Sequence, residues 1–194
     1  RSLFTAIETD MINDIIVSTD SEKIQKLVNK YGNYAPFIRP NELSTDSAGS
    51  LGVIQHGLRW AQDNYNKKYD YIVLLEPPNP FRLPKHIDQG INLAIHKDAS
   101  SVVSLIEVGD YHPIRMKKMD SEGKLDRVMQ IEPDGVRRQD QDPIYIRNCA
   151  VYIFSSKTIN NNELWGPRPF GFEMDKYFYG INIDEPIDFL AAEG

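Results

Sequence analysis

In Gly180-Ile181-Asn182-Ile183-Asp184-Glu185-Pro186-Ile187-Asp188 two oxygen-bearing side chains alternate with two isoleucines ahead of a proline. Successive side chains of a strand take opposite faces, so Ile181 and Ile183 would enter a core while Asn182 and Asp184 share the other side. A carboxylate and an amide oxygen at the end of a buried strand suit a hard divalent cation such as Mg2+. Pro186 fits the first turn of a helix, where no N–H is needed, and Asp184 or Glu185 can cap the exposed amides. Asp184 is therefore either a metal ligand or a helix cap, and the stretch by itself leaves both open.

The elements that must position such a pair come from the whole chain. Its 194 residues suit one domain that buries a core without disulfides. The single cysteine, Cys149, lies in Asn148-Cys149-Ala150-Val151-Tyr152 and reads as a buried small hydrophobe rather than a nucleophile. With 28 acidic residues against 22 Lys plus Arg, the net charge of −6 argues against general nucleic-acid binding. A phosphate-bearing ligand must then meet a local group of cations. The longest apolar runs are of strand length and no charged, apolar, small-residue leader is visible, which predicts no membrane span, no secretory signal and a cytoplasmic protein.

Taken in order, the chain alternates. A helix from Ser2 to Glu8 leads to the apolar run Ile15-Ile16-Val17, read as a strand, and Ser21 caps a helix that stops at Gly32. Ala35 to Ile38 reads as a brief strand, and the long helix after Ser47 carries the stripe Leu51, Ile54, Leu58 and Ala61. Tyr71 to Leu75 is a strand. Glu76-Pro77-Pro78-Asn79-Pro80-Phe81-Arg82 is a stiff loop, because three prolines remove donors and fix φ. A helix with Ile87, Ile91 and Ile95 follows, then a strand from Ser101 to Val108. Such alternation predicts an α/β protein of three αβα layers with a mostly parallel sheet, whose ligands collect beyond the strands' C-terminal ends. From His112 the pattern changes to a hairpin, Ile114–Met119 with Lys124–Val128, outside the main sheet; Ile146 to Phe154 rejoins it, followed by a weak helix and a short extended segment from Phe170 to Met174.

Six stretches stand in order along the chain: Val17-Ser18-Thr19-Asp20-Ser21; Arg39-Pro40 with Leu43 and Asp46 to Ser50; Leu74-Leu75 with the proline loop to Arg82; His112-Pro113; Arg137-Arg138-Gln139-Asp140 with Tyr145 and Asn148; and Ile181 to Asp184 with Asp188-Phe189. As an ordered set they resemble the CMP-sialic acid synthetase family, the cytidylyltransferases of acidic nine-carbon sugars. The resemblance implies a nucleotide-diphospho-sugar transferase-like, Rossmann-like fold and transfer of CMP from CTP to the anomeric hydroxyl of an acidic sugar, with Mg2+ required and pyrophosphate released. It implies that Asp184 and Asn182 hold the metal, and that Arg39, Ser50 and Glu76 contact the nucleotide. Arg138 would act in catalysis, with Arg137, Gln139 and Asn148 at the sugar, a setting for the planar bidentate donor that Arg supplies. His112 would support the turn into the excursion. Residues 109–145 would form a dimerisation excursion of a homodimer.

The sequence departs from the family at informative points. Asn182 stands where a second aspartate is usual, Glu76 where glutamine is usual, and Cys149 where a glycine allows close backbone approach. The family's first strand and Gly-rich, cation-bearing phosphate loop are not found in these residues, which predicts an incomplete version of the enzyme lacking roughly 30 to 40 residues of a βα unit. Two other readings stay open: a nucleotidyltransferase with another base or sugar, and a non-catalytic sugar-nucleotide binding module.

Overall fold

A computed structural model describes residues 1–45, 47–129, 137, 141–175 and 180–193. Where apolar residues recur at helical spacing, helices form: α1 Ser2–Ile7, α2 Glu22–Val28, α3 Ser50–Tyr65 and α4 Pro84–Lys97. Ser21 caps α2 by accepting the Ile24 N–H at 3.4 Å. Ile54, Leu58 and Ala61 of α3 are buried as their spacing predicts. On α4, Ile87 and Ile91 are buried but Ile95 is half-exposed and Ala94 takes the third core position. The small side chain, with Gly90 one turn earlier, lets α4 lie close to the sheet. A Cβ on Gly90 would stand 2.8 Å from Ile153 Cδ1.

The strands are β1 Tyr71–Leu74, β2 Ser101–Glu107, β3 Lys117–Met119, β4 Leu125–Arg127, β5 Tyr145–Ser155 and β6 Pro169–Glu173, with the short helix α5 Ser156–Asn160 and the final helix α6 Pro186–Glu193. The main sheet has the order β1-β5-β2-β6. β1 and β2 are both antiparallel to β5, and β6 is parallel to β2. Hence three strands point one way and β5 alone runs against them. The C-terminal ends of β1, β2 and β6 and the N-terminal end of β5 therefore meet along one sheet edge. β3 and β4 pair only with each other, as the predicted hairpin.

Side-chain alternation along β2 and β5 makes two cores. Val102, Val151 and Ile153 pack with Ile87 and Ile91 of α4 on one face. Val103, Tyr152 and Phe154 pack with Ile54 and Leu58 of α3 and Ile159 of α5 on the other. These are the predicted three layers. Each fully buried isoleucine, Ile153 for example, contributes about 1.5–3 kcal/mol relative to exposure.

Two expected strands are not strands. Ile15–Val17 and Ala35–Ile38 lie outside any ladder, although Val17 N–H donates to the Tyr34 carbonyl at 2.7 Å and Arg39 N–H to the Thr19 carbonyl at 2.8 Å. Two extended segments thus touch side by side without a third strand to complete a sheet. Strand character depends on pairing more than on β-branched composition.

Candidate functional site

The site is built where β1 ends. Three prolines, at 77, 78 and 80, deny the chain the N–H groups that would extend the ladder against β5. The register places Leu74 opposite Tyr152, so the next β5 carbonyls on that side, of Ala150 and Asn148, need other donors. Side chains supply them. Arg82 Nη1 donates to the Ala150 carbonyl at 2.5 Å, and Asn79 Nδ2 donates to the Asn148 carbonyl at 3.1 Å. Arg82 Nη2 also donates to the carbonyls of Glu76 and Asn79 and to Ser2 Oγ. Arg82 as a residue is 2% exposed, and burial pulls its guanidinium down to about 10, partly offset by the nearby Glu76 carboxylate.

Between those two carbonyls sits Cys149, at φ +58°. This is the left-handed region, where a glycine would be unstrained, and it coincides with the register break between β2 and β5. The Cys149 side chain packs toward the α3 face, accepting from Tyr152 Oη at 3.4 Å. Burial, then this hydrogen bond, raises the Tyr152 phenol.

The stretch with which the metal question began lies against the same loop. Ile183 N–H donates to the Pro78 carbonyl at 2.9 Å. Ile181–Ile183 is extended but not a strand, so the expected strand end is corrected to a segment tethered to the proline loop. The expected cap is also corrected. Asp188, in the first turn of α6, reaches back to accept the N–H groups of Asp184 at 3.0 Å and Glu185 at 2.8 Å. That leaves the Asp184 carboxylate exposed and, among the described residues, without a partner. Asn182 Oδ1 is buried and, among the described residues, has no hydrogen-bond partner. The two do not simply share an outer face: one oxygen is turned inward and the other faces solvent. Each oxygen by itself is a hard donor, and Mg2+ commonly takes one or two protein carboxylates with substrate phosphates and water completing the shell, so the exposed Asp184 carboxylate is the donor that fits such a cation as it stands. Among the described residues no group of three or more His, Cys, Asp or Glu could hold a metal alone.

A second corner forms on the α3 side. Arg39 Nη2 meets Asp20 Oδ1 at 3.4 Å, and Arg39 Nε donates to Ser44 Oγ at 3.1 Å. Leu43 packs where a Cβ on Gly52 would stand 3.0 Å away, so this loop rests on the first turn of α3, which Ser50 opens as an exposed residue. The structure therefore brings Arg39, Asp20 and Ser50 into one region, while Glu76 belongs to the Arg82 corner.

Asn148 is placed differently from a sugar contact. It is 2% exposed; Ser104 Oγ donates to its Oδ1 at 2.6 Å, the Ala150 N–H at 3.3 Å, and its Nδ2 lies 3.3 Å from Met174 Sδ. It holds β5 to β2 from beneath the edge. Arg137 is exposed, whereas Arg138, Gln139 and Asp140, with Tyr177, Phe178 and Tyr179, lie outside the described residues. His112 supports the turn into the excursion as expected: its Nδ1 accepts the Ile114 N–H, so Nε2 donates to the Asp142 carbonyl, each at 3.2 Å. Residues the sequence did not single out include Asn79, Arg82, Ser104 and His86. His86 Nδ1 accepts the Leu83 N–H at 3.1 Å and fixes the start of α4; burial, then Lys85, lowers it to about 4.

The fold defines a class. The chain matches CMP-2-keto-3-deoxy-manno-octonic acid synthetase, determined with CTP, at a TM-score of 0.63 and 12% identity, covering 98% of this chain and 85% of that one. It matches 4-diphosphocytidyl-2C-methyl-D-erythritol synthase from Anaerococcus prevotii at 0.64 and 16% identity, covering 98% and 82%. The chain thus has the fold these two enzymes share. No protein-family model matches the chain. The resemblance to the CMP-sialic acid synthetase family nevertheless holds along all of it. CMP-N,N'-diacetyllegionaminic acid synthase of Legionella pneumophila is 28% identical over 199 residues, all of this chain and 82% of that protein. N-acylneuraminate cytidylyltransferase of Streptococcus agalactiae is 31% identical over 197 residues, and the chain spans about half of its length, 46%.

Proposed function

We propose that this chain transfers CMP from CTP to the anomeric hydroxyl of sialic acid or a related nonulosonic acid. In that reaction a bond forms from the anomeric oxygen to the α-phosphorus, the bond from that phosphorus to the bridging oxygen breaks, and pyrophosphate leaves with the electron pair. The hydroxyl proton passes to base or solvent. The observation that carries the reading is the Asn182–Asp184 segment, tethered at Pro78 to the loop after β1, with the Asn182 amide oxygen and the Asp184 carboxylate unengaged among the described residues. Similarity along all of this chain to proteins named for this chemistry supports it.

Asp184 and Asn182 would hold Mg2+, whose contribution when bound is to neutralise charge on phosphate oxygens. Arg39 and Ser50 are suited to the nucleoside end, where the Asp20 pairing fixes the guanidinium's direction. Glu76, whose carbonyl Arg82 holds, would meet the nucleotide from the sheet edge. Arg138, with Arg137 and Gln139, would take the sugar carboxylate, a role for a bidentate cation. Positioning of the two anions supplies most of the catalysis.

The same reading includes a homodimer formed through residues 109–145 and a cytoplasmic location. Tyr111, Met119 and Leu125 on and beside the hairpin are 79%, 73% and 60% exposed, an apolar surface a second copy would cover. Among the described residues no helix is long and apolar enough to cross a membrane.

Pyrophosphate release by the full-length gene product, assayed across the nucleoside triphosphates and a panel of acidic sugars, tests the proposal. Turnover with CTP and a nonulosonic acid is expected. Turnover with a different base or sugar supports the alternative that Glu76, an ionised acceptor in place of an amide, has changed base choice. CMP binding without turnover supports a binding module. Glu76→Gln is expected to lower KM for CTP about tenfold if the side chain meets the base, since an amide restores a donor; an unchanged KM removes Glu76 from the base.

A further inference from the structure

We infer that Arg82 is a positioning residue: by tying the proline loop to the edge of β5 it sets both Glu76 and, through Pro78, the Asn182–Asp184 segment in register. The inference rests on the proposed nucleotide site and adds to it a residue that touches no substrate.

The reasoning begins with donors. Prolines at 77, 78 and 80 end β1 and leave the Ala150 and Asn148 carbonyls of β5 facing a chain that lacks N–H groups to give them. Arg82 answers one carbonyl and Asn79 the other. The two bonds grip β5 on either side of the left-handed Cys149, where the backbone leaves its regular register. Arg82 reaches in the other direction to the carbonyls of Glu76 and Asn79, so one planar group spans the first, middle and last residues of the loop and the strand beside it. Ser2 of α1 accepts from the same nitrogen at 3.1 Å. Loop conformation is thereby fixed from within, and the backbone tether of the Asn182–Asp184 segment to this loop, Ile183 N–H to the Pro78 carbonyl, depends on where the loop lies.

The chemistry of the arrangement argues against simple core filling. Among the described residues no carboxylate pairs directly with the guanidinium and its Nε has no partner, and the cation is buried where desolvation disfavours it. An apolar side chain of similar volume would fill the space without that penalty, but it could not bond Glu76, Asn79 and Ala150 at once. Lysine could not either, because a single ammonium cannot span the fork.

The test uses Arg82→Lys and Arg82→Met in the full-length protein, with steady-state kinetics and amide hydrogen exchange. Loss of stability alone lowers the folded fraction, which reduces apparent kcat and leaves KM values unchanged. Misplacement of the two walls instead raises KM for CTP and the Mg2+ concentration for half-maximal rate, each by about tenfold, with KM for the sugar within about twofold. Faster exchange is expected at the Ile183 amide while Val102 and Val151 in the sheet keep wild-type protection. Unchanged KM for CTP and an unchanged Mg2+ midpoint, with only kcat reduced, would overturn the inference. So would wild-type protection at Ile183 in both variants. Should the wild-type protein not turn over CTP, the proposed function fails by itself and the exchange at Ile183 decides the role of Arg82 alone.

Discussion

Two polar groups sit at the same sheet edge and are built in opposite ways. Around Asn148 the amide oxygen takes two donors, Ser104 Oγ also bonds the Val151 N–H and carbonyl, and everything is buried. At Asn182 and Asp184 an inward amide oxygen has no donor and an outward carboxylate has no partner among the described residues, because Asp188 has taken over the capping of α6. An internally satisfied group makes scaffold, since removing one partner leaves the other unmet and water cannot replace it. An unsatisfied group beside a tethered loop has coordination capacity to offer a ligand. The contrast makes Asn148 part of the scaffold beneath the edge and leaves Asp184 with capacity to offer a ligand.

The largest effect expected from breaking this contrast is at Asp184. Asp184→Ala should lower Mg2+-dependent turnover by more than about 100-fold while leaving the thermal midpoint nearly unchanged, because an exposed carboxylate without partners contributes little to folding. Retained activity would remove Asp184 from the metal. Asn148→Ala should do the reverse, with a loss of about 2 kcal/mol in denaturant unfolding and unaltered KM values, because Ser104 and the Ala150 amide lose their acceptor. A rise in sugar KM without destabilisation would return Asn148 to the sugar site.

His86 sharpens the scaffold side through pH. Its folded-state value near 4 lies below the ordinary 6.5, so above pH 6.5 neither state carries the proton and the Leu83 cap is intact. Between pH 6.5 and 4 the unfolded chain binds the proton and the folded one does not, and stability falls by something on the order of 2 kcal/mol. In His86→Asn that part of the acid slope should disappear; an identical slope would show that other groups set it. The smallest effect is at Cys149. Replacement by glycine relieves the left-handed strain at φ +58° at some cost in unfolded-state entropy, for a net gain of about 0.5–1 kcal/mol. A loss of stability would mean that the side chain's packing beside Tyr152 outweighs the backbone.

Much of the fold was legible because it follows periodicities that are local in the sequence. Ile54, Leu58 and Ala61, or Ile87 and Ile91, announce a buried helical face, and the runs at 71–75, 101–108 and 146–154 announce strands. The extended segments at 15–17 and 35–38 have the same composition as strands and fail for want of pairing, which no local pattern reports. Likewise the two residues that hold the site, Asn79 and Arg82, belong to no periodicity. A signal for them did exist: three prolines after a strand leave the neighbouring strand's carbonyls without donors, so a nearby Asn or Arg has to provide them. The cap from Asp188 was also readable, as a carboxylate at the third position of a helix whose first residue is Pro186. The ordered motif series pointed to this edge, but which oxygens stay unengaged among the described residues follows only from three-dimensional hydrogen bonding.

The central claim, that the edge beyond β1 with Asp184 performs metal-dependent cytidylyl transfer, is tested most directly by following the phosphorus NMR spectrum of CTP with an acidic nine-carbon sugar, Mg2+ and the full-length protein. Pyrophosphate and a CMP-sugar phosphodiester should rise together in equal amounts and should not form when the metal is chelated. Intact CTP after prolonged incubation of folded, CMP-binding protein would contradict it.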